Sequence, residues 1–139
     1  MLVTGAVDVL VREPGDRALV VDYKSDRLRG ADPAEIVDSA YATQQLVYAT
    51  ALLRSGVQAV EIAHCFLERP GSPVLVAFSQ ADLPGLEQRL AALSSGVLER
   101  RFAVADAPHR ALCRGCPAEG GLCSWPLAMT RRESPDRLF

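Results

Sequence analysis

Asp8, Asp22 and Lys24 are the residues of this chain whose types and spacing could do chemistry. Asp8 lies among Ala6, Val7, Val9 and Leu10, and Asp22 follows Leu19, Val20 and Val21. A carboxylate inside an apolar strand is costly unless it is paired or binds a cation. Glu13-Pro14-Gly15-Asp16 has the composition of a turn, and a hairpin folded about residues 14–16 brings Asp8 opposite about position 22. Two carboxylates at neighbouring places on one sheet repel each other, and a divalent cation resolves the repulsion. Mg²⁺ (or Mn²⁺) suits such a site, because it takes oxygen ligands and keeps several waters. Lys24 lies two residues beyond Asp22, on the same face of a strand. Carboxylate-held metal plus an ammonium is the equipment of phosphodiester hydrolysis. The metal generates and aims hydroxide, while the lysine positions the water or stabilises the phosphorane charge. The alternative is an edge hairpin with solvent-facing acids and a surface lysine.

Composition sharpens the lysine. The fifteen basic residues include a single lysine, Lys24; the others are arginines. An ammonium is a compact point charge whose pKa moves on burial, whereas guanidinium effectively cannot deprotonate. A lone lysine in an arginine-rich chain therefore marks a place where arginine would not serve, with chance as the competing account.

The chain has 139 residues, 49% hydrophobic and 23% charged, with a formal net charge of −2. That fits one compact domain with a real core and excludes collagen-like, low-complexity and disordered chains. No apolar run reaches the roughly 18 residues of a membrane span, and no basic segment followed by an apolar one opens the chain. The expectation is a cytoplasmic protein with no membrane partner. Residues 1–99 are net acidic and residues 100–139 net basic, a weak nucleic-acid signal because a few surface arginines are usually just solvated.

The elements that must position these residues follow from hydrophobic period and turn chemistry. Residues 2–12 alternate as a strand with Asp8 in its middle, and residues 18–23 form its hairpin partner. Asp32-Pro33-Ala34-Glu35 is a helix start, with Asp as cap, Pro at the first position and Glu three residues on. That helix is expected to run to Arg54 or Ser55 and to stop at Gly56. Strands follow over residues 57–68 and 74–78. A second helix spans residues 82–101, with Leu86, Leu90, Leu93 and Val97 at helical spacing. The layout is ββαββα, a single mixed α/β core over residues 1–105 with a Cys-rich tail, residues 106–139, packing on it.

Gly5-Ala6-Val7-Asp8 followed by Asp22-Tyr23-Lys24-Ser25 resembles the core of the PD-(D/E)xK nucleases. It is most similar to the branch at the C-termini of RecB- and AddB-type helicase–nucleases and in Cas4-like exonucleases. That branch reads G-x-[IV]-D, a hairpin, D-[YW]-K, then a helix with Y-x-x-Q-x-x-x-Y. Here Tyr41, Gln44 and Tyr48 supply the helix motif, three and four residues apart and so on one face. Read from the residues alone, they are a polar stripe facing the acids, or an amphipathic core helix with two half-buried tyrosines.

The resemblance implies a restriction-endonuclease-like α/β domain, a central mixed sheet flanked by helices. The implied activity is a Mg²⁺- or Mn²⁺-dependent deoxyribonuclease, exonuclease rather than endonuclease, in DNA end processing and recombinational repair. Asp8, Asp22 and the Tyr23 carbonyl would be metal ligands and Lys24 the catalytic lysine. Gln44 and Tyr48, with Tyr41, would form the supporting face, and Arg27 and Arg29 could touch phosphates. DNA is the implied substrate. An ATP-dependent helicase or translocase in the same polypeptide or complex is the implied partner, since this chain has no Walker A pattern. The family places a histidine-bearing helix, and usually a strand, before the first aspartate. The chain is therefore expected to be N-terminally incomplete, and inactive in isolation wherever hydrolysis needs that helix. His64 is expected in the core or on the surface, and His109 exposed, neither replacing that histidine. The rival is an inactive DNA-binding or scaffolding module of a helicase–nuclease complex.

Cys113-Arg114-Gly115-Cys116-Pro117, with Cys123 six residues further on, has metal-ligand spacing, one ligand short of a closed zinc or [4Fe–4S] site. In the resembling nucleases such a tail gives three ligands to a [4Fe–4S] cluster whose fourth cysteine lies upstream of the nuclease core. In this chain Cys65 is the only other cysteine, and a strand cysteine is more often a small buried hydrophobe. Two further readings are a cluster-free plug with Trp125 and Pro126 on the core, and a small zinc ribbon.

Overall fold

Pro14, Gly15 and Asp16 reverse the chain between β1 (Val9–Glu13) and β2 (Arg17–Lys24). Gly15 and Asp16 both have positive φ, 76° and 54°, the left-handed conformation that glycine and aspartate tolerate best. The three-residue loop fixes the antiparallel register, from Glu13 opposite Arg17 to Val9 opposite Val21. The computed structural model describes residues 5–101 and 104–134, in two compact units, Met1–Leu98 and Glu99–Phe139.

In the first unit the chain continues through α1 (Pro33–Ala40), α2 (Ala42–Arg54), β3 (Ala59–Phe66), β4 (Val74–Ser79) and α3 (Leu83–Leu98). The sheet order is β1-β2-β3-β4. β2 and β3 are parallel, joined by the α1–α2 crossover, and the other two pairings are antiparallel. This is the expected mixed α/β, restriction-endonuclease-like architecture.

Parallel pairing sets Ala18, Val20, Asp22 and Lys24 level with Val60, Ile62, His64 and Phe66, and all eight are buried. Their apolar members fall into two clusters. Ala18, Val20, Val60 and Ile62 pack with Leu46, Ala49 and Leu53 of α2 and Leu86 of α3. Phe66 packs with Leu28 and with Val37 of α1. Between them, on the same face, lies a polar seam of Asp22, Lys24 and His64.

Besides shifts of one or two residues at other strand ends, three boundaries differ from expectation. β1 begins at Val9, so Asp8 stands immediately before the strand rather than in its middle; residues 2–4 of the expected strand lie outside the described residues. The single expected helix is two, broken at Tyr41 (φ −111°, ψ 4°). Its start is as expected, with Asp32 accepting from the Ala34 N–H at 3.0 Å. Tyr41 leaves helical geometry while its ring lies against residues of β2 and β3, contacts that helical periodicity does not encode. α2 ends at Arg54, just before Gly56 (φ 97°), as expected, and α3 ends at Leu98 rather than near Arg101.

Among its described residues the second unit holds two short helices, α4 (Arg110–Cys113) and α5 (Leu127–Thr130). No described helix is long and apolar enough to cross a membrane.

The buried face of α2 is the main apolar brace under the sheet. Leu46→Ala should lower the free energy of unfolding by about 2–5 kcal/mol in urea titration. Leu93→Ala on α3, 61% exposed, should change it by no more than about 0.5 kcal/mol.

Candidate active site

Asp22 is 4% exposed and Lys24 7%, as i and i+2 of one strand on its covered face. Nζ of Lys24 is 2.5 Å from Oδ2 of Asp22 and donates to Oε1 of Gln44 at 2.7 Å. The Tyr41 ring closes another side, with its centroid 3.6 Å from Nζ. Burying an ammonium is costly unless it is paired and hydrogen-bonded; here a carboxylate, an amide oxygen and an aromatic face replace water.

Asp8 stands where the hairpin opens. The register that sets Val9 opposite Val21 continues to set position 8 opposite position 22, as the sequence suggested. Oδ2 of Asp8 accepts the Tyr23 N–H at 2.8 Å. Strand geometry sends the N–H and C=O of one residue to the same side, so the Tyr23 carbonyl also faces the Asp8 edge. Asp8 itself is exposed.

Residues of α2 finish the arrangement. Gln44 spends its oxygen on Lys24, so its amide nitrogen donates, to the Tyr48 hydroxyl at 2.9 Å and more weakly to Oδ1 of Asp22 at 3.5 Å. The Tyr48 hydroxyl donates in turn to the Ala6 carbonyl at 2.5 Å, two residues before Asp8. One chain of hydrogen bonds thus ties Lys24 to the segment that carries the first aspartate. Burial, then the Asp22 charge, pushes the Tyr48 phenol up. Burial, then its hydrogen bond to Asp26, pushes the Tyr41 phenol up. Both hydroxyls remain protonated donors at neutral pH.

The structure therefore brings Asp8, Asp22, Tyr23, Lys24, Tyr41, Gln44 and Tyr48 to one place, with Tyr41 at the helix break rather than on the helix face. Arg27 and Arg29 are exposed in the loop after β2. Sequence reasoning missed His64, which is 0% exposed. Its Nδ1 lies 3.1 Å from Oδ2 of Asp22, and its Nε2 lies 3.3 Å from Nε2 of Gln45. Burial outweighs the Asp22 charge and holds this imidazole below its ordinary pKa. It also missed Glu68, which accepts the Leu28 N–H at 3.0 Å and anchors the loop after Lys24.

The donor set fits a hard divalent cation. Two carboxylates and a backbone carbonyl are oxygen donors, and Mg²⁺ is commonly held by one or two carboxylates with waters completing its shell. Among the described residues no group of three or more His, Cys, Asp or Glu side chains is assembled to hold a metal ion, so the hairpin offers an open two-carboxylate site rather than a closed cage. The same finding covers the tail. It gives no support to the [4Fe–4S] cluster expected on Cys113, Cys116 and Cys123. Local bonds shape that segment instead: His109 caps α4 by accepting the Leu112 N–H at 3.4 Å, Trp125 Nε1 donates to the Ala105 carbonyl at 2.8 Å, and Arg131 pairs with Glu119 at 3.2 Å. Cys65 is a partly buried free thiol on β3.

Tyr48→Phe removes the bond to Ala6 and one acceptor of Gln44. It should cost about 1 kcal/mol of stability in urea titration. Hydrogen exchange should show the Tyr23 amide, held by Asp8, exchanging faster than in the parent.

The PD-(D/E)XK nuclease superfamily model matches residues 1–121 of the chain. No curated protein and no solved structure matches it. The matched stretch contains both aspartates, the lysine and the α2 pair, and most of the chain's length; the chain belongs to the PD-(D/E)XK nuclease superfamily.

Proposed function

We propose that this chain is the phosphodiester-hydrolysing part of a metal-dependent DNA exonuclease of the RecB/AddB and Cas4-like branch, centred on Asp8, Asp22 and Lys24. The observation that carries it is the buried Lys24 ammonium set between Asp22 and Gln44, next to a second carboxylate on the same hairpin. An isolated structural role gives no reason to bury a lysine there.

Asp8, Asp22 and the Tyr23 carbonyl would hold Mg²⁺ or Mn²⁺. When bound, the cation supplies an acidified water and a polarised phosphate. Lys24 has three N–H donors. Two are taken by Asp22 and Gln44 and the Tyr41 ring covers a further side, so the ammonium would act as a fixed positive charge towards a non-bridging phosphate oxygen, where negative charge grows as the P–O bond breaks. Gln44 and Tyr48 hold that ammonium in line, and Tyr41 keeps water from its flank.

The finer assignment rests on G-x-V-D, D-Y-K and Y-x-x-Q-x-x-x-Y occurring in order. They support DNA ends as substrate, a role in end processing and recombinational repair, and an ATP-dependent helicase or translocase as partner. A [4Fe–4S] cluster on Cys113, Cys116 and Cys123 would require those thiolates to converge and a fourth ligand to join them. The activity proposed here does not depend on it.

Linear single-stranded DNA should be degraded in the presence of Mn²⁺ and not after EDTA. Lys24→Ala should lower kcat by about 10²–10³-fold. Wild-type chain that binds Mn²⁺ and DNA yet cuts nothing, also with an upstream histidine-bearing helix restored, overturns the assignment in favour of a non-catalytic module.

Lys24→Arg separates charge from shape. The guanidinium cannot occupy a pocket bounded by Asp22, Gln44 and the Tyr41 ring on the same terms. Its kcat should fall nearly as far as that of Lys24→Ala, and near-parental turnover would refute the need for an ammonium.

A further inference from the structure

His64 is neither part of the sequence motifs nor in contact with solvent, yet it touches the carboxylate on which the site turns. We propose that His64 is a positioning residue for cation binding. As the neutral imidazole with its proton on Nδ1, it locks Oδ2 of Asp22 inward and reserves Oδ1 for the cation. This rests on the metal-dependent reading of the hairpin given above.

Hydrogen-bond bookkeeping sets the tautomer. The Gln45 amide nitrogen that faces Nε2 at 3.3 Å can only donate, so Nε2 accepts and the ring proton sits on Nδ1. That N–H is 3.1 Å from Oδ2 of Asp22. The same oxygen receives Lys24 Nζ, so Oδ2 has two donors from two different elements, β3 and β2. Among the described residues, Oδ1 has only the long 3.5 Å contact from Gln44. Rotating the carboxylate would break both bonds to Oδ2 inside a buried seam.

The imidazole cannot turn away either. Tyr41 stacks on it with ring centroids 5.8 Å apart and an interplanar angle of 21°, and its backbone is fixed by the β2–β3 ladder that pairs His64 with Asp22. Partners that orient a metal-binding carboxylate in this way are commonly worth about 10–100-fold in metal affinity. A histidine that only filled space between the two apolar clusters would make no distinction between its two nitrogens.

That distinction is testable in the full chain. Asn at position 64 would place an amide nitrogen where Nδ1 stands, and Gln would place one where Nε2 stands. In Mn²⁺ titrations followed by electron paramagnetic resonance, His64→Gln and His64→Leu should weaken binding by about 10–100-fold, while His64→Asn should restore most of the affinity. Nitrogen-15 NMR of the parent should show a protonated Nδ1 and an unprotonated Nε2. If His64→Leu fails to fold, the Asn/Gln contrast, between two polar amides, still decides. Equal Mn²⁺ affinity in these two variants, or a proton on Nε2, overturns the role of His64 and leaves the nuclease reading standing. Parent protein that neither binds Mn²⁺ nor cuts DNA overturns both.

Discussion

A lysine ammonium held out of water against a carboxylate two residues away is the constraint on which the rest of this site depends. Neither Asp22 nor Lys24 could be buried alone. Together they still lack enough partners, because an ammonium carries three donors and a carboxylate about four acceptor positions. The missing partners cannot come from β2, whose backbone is committed to the sheet. They come from β3 (His64), from α2 (Gln44) and from the helix break (Tyr41). The parallel β2–β3 pairing and the placement of α2 over the end of the sheet are therefore conditions for the pair to exist.

The polar seam also explains why the core of the first unit is divided. Apolar packing runs along the sheet through Val20 and Ile62, stops at Asp22 and His64, and resumes at Phe66. Replacing such a seam by well-packed hydrophobes is often neutral or stabilising, whereas removing one partner leaves an uncompensated buried charge. A seam of this kind contributes little to net stability, so its retention in an otherwise continuous core points to chemistry. The hydrogen bonds that satisfy it extend outward through Tyr48 to Ala6, so the same network fixes the approach to Asp8.

What could be read from the residues depended on how local the cause was. The hairpin was legible because a three-residue Pro-Gly-Asp loop leaves little freedom in register, and Asp8 and Asp22 fall where that arithmetic puts them. The cap at Asp32 and the stop at Gly56 were legible for the same reason. The break at Tyr41 was not. The residues around it continue to suit a helix, and the cause is a ring held by Lys24, His64 and Asp26, which are distant in sequence. His64 was illegible as a site residue because the register that sets it beside Asp22 is made across a helical crossover, which no short-range pattern encodes. In the tail, cysteine spacing suggested a ligand set, while the backbone is governed by a histidine cap, a tryptophan hydrogen bond and arginine–glutamate pairs.

The two carboxylates differ in a way that bears on how substrate reaches them. Asp22 is buried and already neutralised by Lys24, while Asp8 is exposed at the open end of an edge strand. A cation held here would be ligated by the solvent-facing Asp8 and by Oδ1 of Asp22, whose contact among the described residues is the long 3.5 Å one from Gln44. Residues 1–99 carry a net negative charge, so this part of the chain repels a polyanion except where a cation is held. Nucleic-acid affinity rests largely on neutralised phosphates, and five of the eight basic residues in this stretch, Arg12, Arg17, Lys24, Arg27 and Arg29, lie on the hairpin or in the loop after it. On the proposed reading, the hairpin is therefore where this part of the chain meets a phosphate backbone, through a held cation and the basic residues around it.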